Sequence, residues 1–189
     1  MSKVLTLCLY MLLATHSFAN AQNEMDEQAL WALLADGSHV ALMRHAIAPG
    51  TGDPANFRLD ECSTQRNLSA QGRAQARAIG ERFREQGITM ANVHSSQWCR
   101  CLETARLLDL GEVIPTPALN SFFTRREREP RQSEAIRQLL AEQAEDKTTV
   151  LVTHQVNVTA LTGIFPRSGE IVVVRPSESS LSVLGRIAP

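Results

Sequence analysis

Short apolar runs rich in β-branched residues alternate along this chain with longer stretches whose apolar residues recur at helical spacing, and this alternation most constrains the fold. It predicts an α/β protein of stacked layers in place of a sandwich or a helix bundle. His39 to Met43 reads as the first strand, led in by the turn Asp36-Gly37-Ser38. A helix follows from Ser69 to Gln86, with Ser69 as its N-cap, Gly87 as its stop and Gly72, Ala76, Ile79 and Phe83 on the inward face. Asn92 to Ser95 is a short strand, Gln97 to Leu108 a helix, Glu134 to Glu145 another helix, and Thr148 to Thr153 a buried parallel strand. Gln155 to Thr162 begins a further helix. Ile171 to Val174 and Leu181 to Leu184 read as two late antiparallel strands near an edge, turned around Pro176 to Ser179.

The N-terminus stands apart from this pattern. Lys3 supplies a positive start, Val4 to Ala14 is almost wholly apolar, and Ala19-Asn20-Ala21 fits a small-x-small cleavage site. Residues 1–21 therefore read as a secretory signal peptide, because eleven apolar residues fall short of the roughly 20 needed to span a bilayer. Residues 22–189 are left as one domain, which suits a chain of 189 residues, with no integral membrane segment after cleavage. A bacterial periplasmic or secreted location follows, where thiols tend to be oxidised. Cys62, Cys99 and Cys101 would remain, and a disulfide from Cys62 to either of the other two would leave one thiol free. A metal site built from these cysteines and His94 is disfavoured, because C-x-C is too tight for the usual ligand spacing. No metal or cofactor is expected.

Nineteen Lys and Arg against twenty Asp and Glu give a net charge of -1, so a nucleic-acid partner held by overall basicity has no support. Two loops, Ala48 to Gln65 and Pro115 to Pro130, exceed the usual length and are candidates for contacting a substrate. Arg125, Arg126, Arg128 and Arg131 lie in or beside the second loop, either as a solvated surface or as an attractor for an anionic substrate. Phe57, Phe122 and Phe123, in the same two loops, would line a substrate wall or pin the loops to the core.

Polar groups are delivered where three apolar runs stop: Arg44-His45, Ser95-Ser96 with Arg100 just beyond, and Thr153-His154. Open α/β sheets bind ligands outside the carboxyl ends of their strands, so two histidines and two arginines arriving there would form a cationic pocket.

These residues carry a resemblance. Leu42-Met43-Arg44-His45-Ala46 resembles the Arg-His-Gly motif of the histidine phosphatase superfamily, the phosphoglycerate mutase-like group, with Ala46 where the family has Gly. Asn67-Leu68-Ser69-Ala70-Gln71-Gly72-Arg73-Ala74-Gln75-Ala76 resembles the family's Pro-Leu-Ser/Thr-x-x-Gly-x-x-Gln-Ala helix start. Ser95-Ser96 through Arg100 to Thr104-Ala105 resembles its Ser-Ser-x-x-x-Arg-x-x-x-Thr-Ala segment, and Val150 to His154 its second-histidine strand. Four matches in chain order are far more specific than any one.

The resemblance implies a three-layer fold with a mostly parallel central sheet flanked by helices. It implies a phosphorylated substrate, with His45 as a transiently phosphorylated nucleophile and Arg44, Arg100 and His154 holding the phosphoryl oxygens. The chemistry fits: attack needs a neutral imidazole, which neighbouring guanidinium charges favour, and arginine forks suit phosphoryl oxygens. The family's proton donor has no counterpart, because Asn120 stands where many members carry Glu and Gln155 where others carry Asp. Asp53 is then the first choice for the acid, with Asp60, Glu61 and Glu127 behind it. The sequence leaves three functions open: an exported phosphatase acting on a cell-envelope (lipopolysaccharide core) or small-molecule phosphate, a silent phosphate-binding relative, and a phosphomutase.

Overall fold

The computed structural model describes residues 25–142, 147–177 and 180–189. The expected signal peptide at 1–21 and the last residues of the helix read to Glu145 lie outside them. Helices α1 (Glu27–Ala35), α2 (Ala70–Glu85), α3 (Cys99–Leu108), α4 (Glu129–Ala141) and α5 (Gln155–Thr162) flank one sheet. Its strands are β1 (Val40–Arg44), β2 (Asn92–Ser95), β3 (Val113–Pro115), β4 (Thr149–Thr153), β5 (Ile171–Pro176) and β6 (Leu181–Ile187), in the spatial order β3-β2-β4-β1-β5-β6.

The three layers follow from strand alternation. Ala41, Met43, Val150 and Val152 point to one face and pack with Leu30, Trp31 and Leu34 of α1, Ile79 and Phe83 of α2 and Ala105 and Leu108 of α3. Val40, Leu42 and Leu151 point to the other, against Ile136 and Leu140 of α4 and Val158 and Leu161 of α5. Strands β1, β2, β3 and β4 are mutually parallel, while β5 runs antiparallel to both β1 and β6. The expected late antiparallel pair is present, with β6 at one edge of the sheet.

The inward stripe of α2 is as anticipated, with Gly72, Ala76, Ile79 and Phe83 buried and the Ser69 hydroxyl accepting from the Gly72 N–H at 3.0 Å. Gly72 is there because nothing larger fits: a Cβ would stand 2.0 Å from the Ile47 carbonyl oxygen. The segment just beyond β1 is thereby clamped onto α2.

Two elements escaped the sequence reading. Helix α1, capped by the Asp26 carboxylate on the Ala29 N–H at 2.7 Å, closely follows the segment read as a signal peptide and was obscured by it. Strand β3 is three residues long and ends in a proline, too short for a period-2 signal. Helix α4 starts at Glu129 and not at Glu134, with Pro130 in its first turn, where the missing N–H costs nothing.

Candidate active site

Parallel strands β1, β2 and β4 end side by side, so the residues that follow them converge. Backbone bonds lock the edge: the His45 N–H donates to Thr153 O at 2.9 Å and the Ser96 N–H to Val152 O at 2.9 Å. Arg44, His45, Asp53, Arg66, Arg100 and His154 all line one cleft of about 920 Å³. The sequence-predicted set is thus brought together.

The motif residues around the site hold this geometry. The Ala46 N–H donates to Thr104 Oγ1 at 3.1 Å, and the Thr104 hydroxyl donates to the Arg100 carbonyl at 2.7 Å, tying the turn after β1 to α3. Gln75 bridges two loops, accepting from the Ile47 N–H at 3.0 Å and donating to Ser168 O at 3.0 Å. Ala46 replaces the family's glycine without strain, because Asp109 is the one non-glycine residue with positive φ among those described.

His45 is buried, and its ring Nδ1 lies 2.7 Å from the Ala46 carbonyl oxygen. A carbonyl only accepts, so Nδ1 carries the proton and Nε2 keeps its lone pair. Burial, then the nearby Arg100, Arg66 and Arg44 charges, hold the imidazole well below its usual pKa against the opposing pull of the Ala46 bond. His45 is therefore neutral near pH 7, with its nucleophilic nitrogen free.

His154 sits beside it, with ring centroids 5.6 Å apart. Its Nε2 is 2.8 Å from Ser96 Oγ, and its Nδ1 is 3.4 Å from Arg100 Nη2. The guanidinium can only donate, which makes Nδ1 the acceptor and Nε2 the proton carrier toward Ser96. Ser96 in turn donates to Asn120 Oδ1 at 3.2 Å. Burial and the Arg100 charge lower this imidazole too.

Arg100 is almost wholly enclosed and meets Asp53 through both terminal nitrogens, at 2.6 and 3.1 Å. The Arg44 guanidinium donates to Pro166 O at 2.9 Å. The Nε atoms of Arg44 and Arg100 are buried with no acceptor among the described residues.

Asp53 was expected to be the proton donor, and its surroundings argue otherwise. Beyond Arg100, its carboxylate accepts from the Trp98 indole N–H at 3.0 Å and the Arg66 backbone N–H at 3.1 Å. Burial alone would raise its carboxyl, but the Arg100 contacts prevail and hold it below the usual carboxylate value. An ionised, fully engaged carboxylate positions Arg100 and has no proton to give. Asp60, Glu61 and Glu127 do not line the cleft, and Glu61 is instead paired with Arg58. Asn120 accepts from the Gln97 N–H at 2.8 Å and supports the turn into α3.

Arg66 was missed. Its Nε donates to Gly52 O at 2.8 Å and its guanidinium also to Ala48 O, and it adds a third cation beside His45. The one signal was its place directly before the Asn67-Leu68-Ser69 helix start. Trp98 and Phe57 stack with centroids 5.0 Å apart and form one wall, Phe122 is core, and Phe123 is exposed at the rim. Glu103, on the surface of α3, pairs with Arg73 at 2.6 Å.

Of the two alternative pairings for the expected disulfide, the one formed is Cys62–Cys99, fastening the 48–65 loop to the first turn of α3. Cys101 is free and buried, with its Sγ 3.5 Å from His154 Nε2, and burial pushes its thiol up to about 12. Among the described residues, no group of three or more His, Cys, Asp or Glu side chains is placed to hold a metal, and no helix is long and apolar enough to cross a membrane.

Sheet order, converging strand ends and paired histidines define a histidine phosphatase fold. The model of the histidine phosphatase superfamily (branch 1) matches residues 40–122, which places that stretch in the family and supports phosphatase activity. Solved structures agree on the fold. The protein histidine phosphatase SixA, complexed with tungstate, is similar at 18% identity over 80% of this chain and 97% of its own, with a TM-score of 0.58. Phosphoserine phosphatase from Entamoeba histolytica, complexed with 3-phosphoglyceric acid, is similar at 15% identity over 80% of this chain and 97% of its own, with a TM-score of 0.57. A mycobacterial glucosyl-3-phosphoglycerate phosphatase is similar at 17% identity over 77% of this chain and 96% of its own, with a TM-score of 0.56. No curated protein sequence matches the chain.

Proposed function

We propose that this protein is an exported phosphatase that hydrolyses phosphate esters, through a phosphohistidine at His45 and without a metal ion. The observation that carries the reading is the neutral His45, whose Nε2 is left unprotonated by the Nδ1 bond to Ala46 in a cleft lined by Arg44, Arg66 and Arg100. In the first step that lone pair forms the N–P bond as the bond from phosphorus to the leaving group breaks, and the leaving group takes the electron pair. In the second, water attacks phosphorus, the N–P bond breaks, and Nε2 regains its lone pair as orthophosphate departs. Arg44 and Arg100 hold the equatorial oxygens, where negative charge develops, His154 joins them by turning its Nε2–H from Ser96 onto the phosphoryl group, and donors of this kind are each worth about 100-fold to 1,000-fold in rate.

With Asp53 ionised and no other carboxylate lining the cleft, leaving groups that need no proton from an enzyme carboxyl, because they are weakly basic or take the proton from solvent, are favoured. Phosphoanhydrides and phosphoramidates are such donors, and the SixA neighbour is by its name a protein histidine phosphatase. Export is supported by the apolar run at Val4 to Ala14 and by a disulfide that suits an oxidising compartment, where an envelope phosphate such as that of a lipopolysaccharide core is within reach. The same ionised Asp53 favours the second reading, a phosphate-binding relative that does not turn over.

Turnover of p-nitrophenyl phosphate and acetyl phosphate, with and without chelator, separates the two. Hydrolysis that survives chelator, disappears in His45→Ala and leaves an acid-labile phosphoenzyme on quenching supports the proposal. No hydrolysis of either compound at any pH favours the binding relative.

A further inference from the structure

The cleft is far larger and more positive than one phosphoryl group requires, and the excess is organised. At about 920 Å³ it lies near the top of the range for small-molecule sites. Around His45, three guanidinium groups (Arg44, Arg66 and Arg100) face one carboxylate, Asp53, a surplus of two charges that a dianionic phosphoryl group matches. Arg125, Arg126 and Arg128 line the same cleft from the segment leading into α4, while Glu127 and Glu129, which alternate with them, do not. No carboxylate among the described residues lies within ion-pairing distance of these three, whereas Arg73, Arg82 and Arg186 each have a Glu partner.

The segment is also anchored. The Phe122 side chain is buried, the Arg125 N–H donates to Phe122 O at 2.9 Å, and the Arg128 N–H to Arg125 O at 3.0 Å. The Arg126 guanidinium lies 5.5 Å from the Phe123 ring centroid, and Phe123 and Phe165 offer exposed aromatic faces on the cleft. Cations concentrated on one side of a cleft draw an anion into it, and guanidinium forks bind phosphate in particular.

The geometry points to a second anion subsite built from Arg125, Arg126 and Arg128, so that the substrate is a compound with at least one further phosphate besides the one presented to His45. This rests on the phosphatase reading for the role of His45, but the subsite itself is a matter of binding and is tested by binding. Titration calorimetry on His45→Ala at low salt compares two matched pairs: fructose 6-phosphate with fructose 1,6-bisphosphate, and orthophosphate with tripolyphosphate. The more highly phosphorylated member of at least one pair is expected to bind tenfold or more tightly than its partner. Adding R125Q/R126Q/R128Q brings that ratio close to one, and adding R125K/R126K/R128K restores it, which a fold defect could not do. Equal affinity within both pairs, or a ratio untouched by the glutamine variant, overturns the subsite. Preference retained by a protein that hydrolyses no phosphorylated compound leaves the subsite standing and removes the catalytic reading, so the two failures are distinct.

Discussion

Removing the Cys62–Cys99 bridge with the double variant Cys62→Ser/Cys99→Ser should cost stability by an amount the structure sets. The bridge spans a sequence separation of 37 residues, and the chain-entropy model assigns a loop of that length about 4 kcal/mol. For a domain of this size that corresponds to a fall in Tm of roughly 8 to 16 °C. Urea unfolding followed by tryptophan fluorescence suits the test, because Trp31 reports the core and Trp98 the neighbourhood of the bridge. The two signals should move together to a lower midpoint. Turnover should fall by less than the roughly 100-fold expected for losing a phosphoryl donor, because Asp53 still engages Arg100 and Gln65 still accepts from the Cys99 N–H at 2.9 Å. A midpoint shift equivalent to less than about 1 kcal/mol would show that the 48–65 loop is ordered without its covalent tether and refute the reasoning.

Other perturbations address the charges and the packing. Asp53→Ala leaves the Arg100 charge without its partner and should cost roughly 3 kcal/mol in urea unfolding, with a loss of activity equal for good and poor leaving groups; a loss confined to poor ones would reinstate Asp53 as the acid. His45 and His154 are held neutral when folded, below the value of about 6.5 they take when unfolded. The unfolded chain therefore binds more protons in acid, so stability should be level above about pH 7 and decline as pH falls below about 6.5. Thermal melts across pH 5 to 8 with no such decline would contradict the buried neutral pair. Gly72→Ala drives a Cβ into the Ile47 carbonyl and should cost about 1–3 kcal/mol, with lowered activity because Ile47 follows the His45 turn; an unaffected melt and rate would show that α2 can move away freely.

Legibility divides along the range of the forces involved. Strands β1, β2, β4, β5 and β6, the α2 stripe and the four converging residues were readable because local periodicity and strand-end chemistry write them into contiguous residues. The choice between Cys99 and Cys101, the capture of Asp53 by Arg100 and the entry of Arg66 are matters of which side chains meet across loops, and periodicity carries none of that. Asp53 shows the limit most clearly: its place in the cleft could be anticipated from its position after β1, yet its protonation is set by Arg100 and Trp98, both more than forty residues away. Helix α1 had a readable Asp26 cap and apolar spacing and escaped notice because it closely follows the segment read as a signal peptide.

Cys99 and Cys101 stand two positions apart on α3, about 200° around the helix axis, so the first reaches the surface bridge and the second is turned into the core. Exchange between them would require unwinding the opening turn of that helix, and a folded molecule is thereby restricted to one covalent isomer. The sequestered Cys101 sulfur becomes a built-in clock: a thiol reagent can modify it only as often as the domain opens, so its labelling rate reads out breathing next to His154 in the unmodified protein.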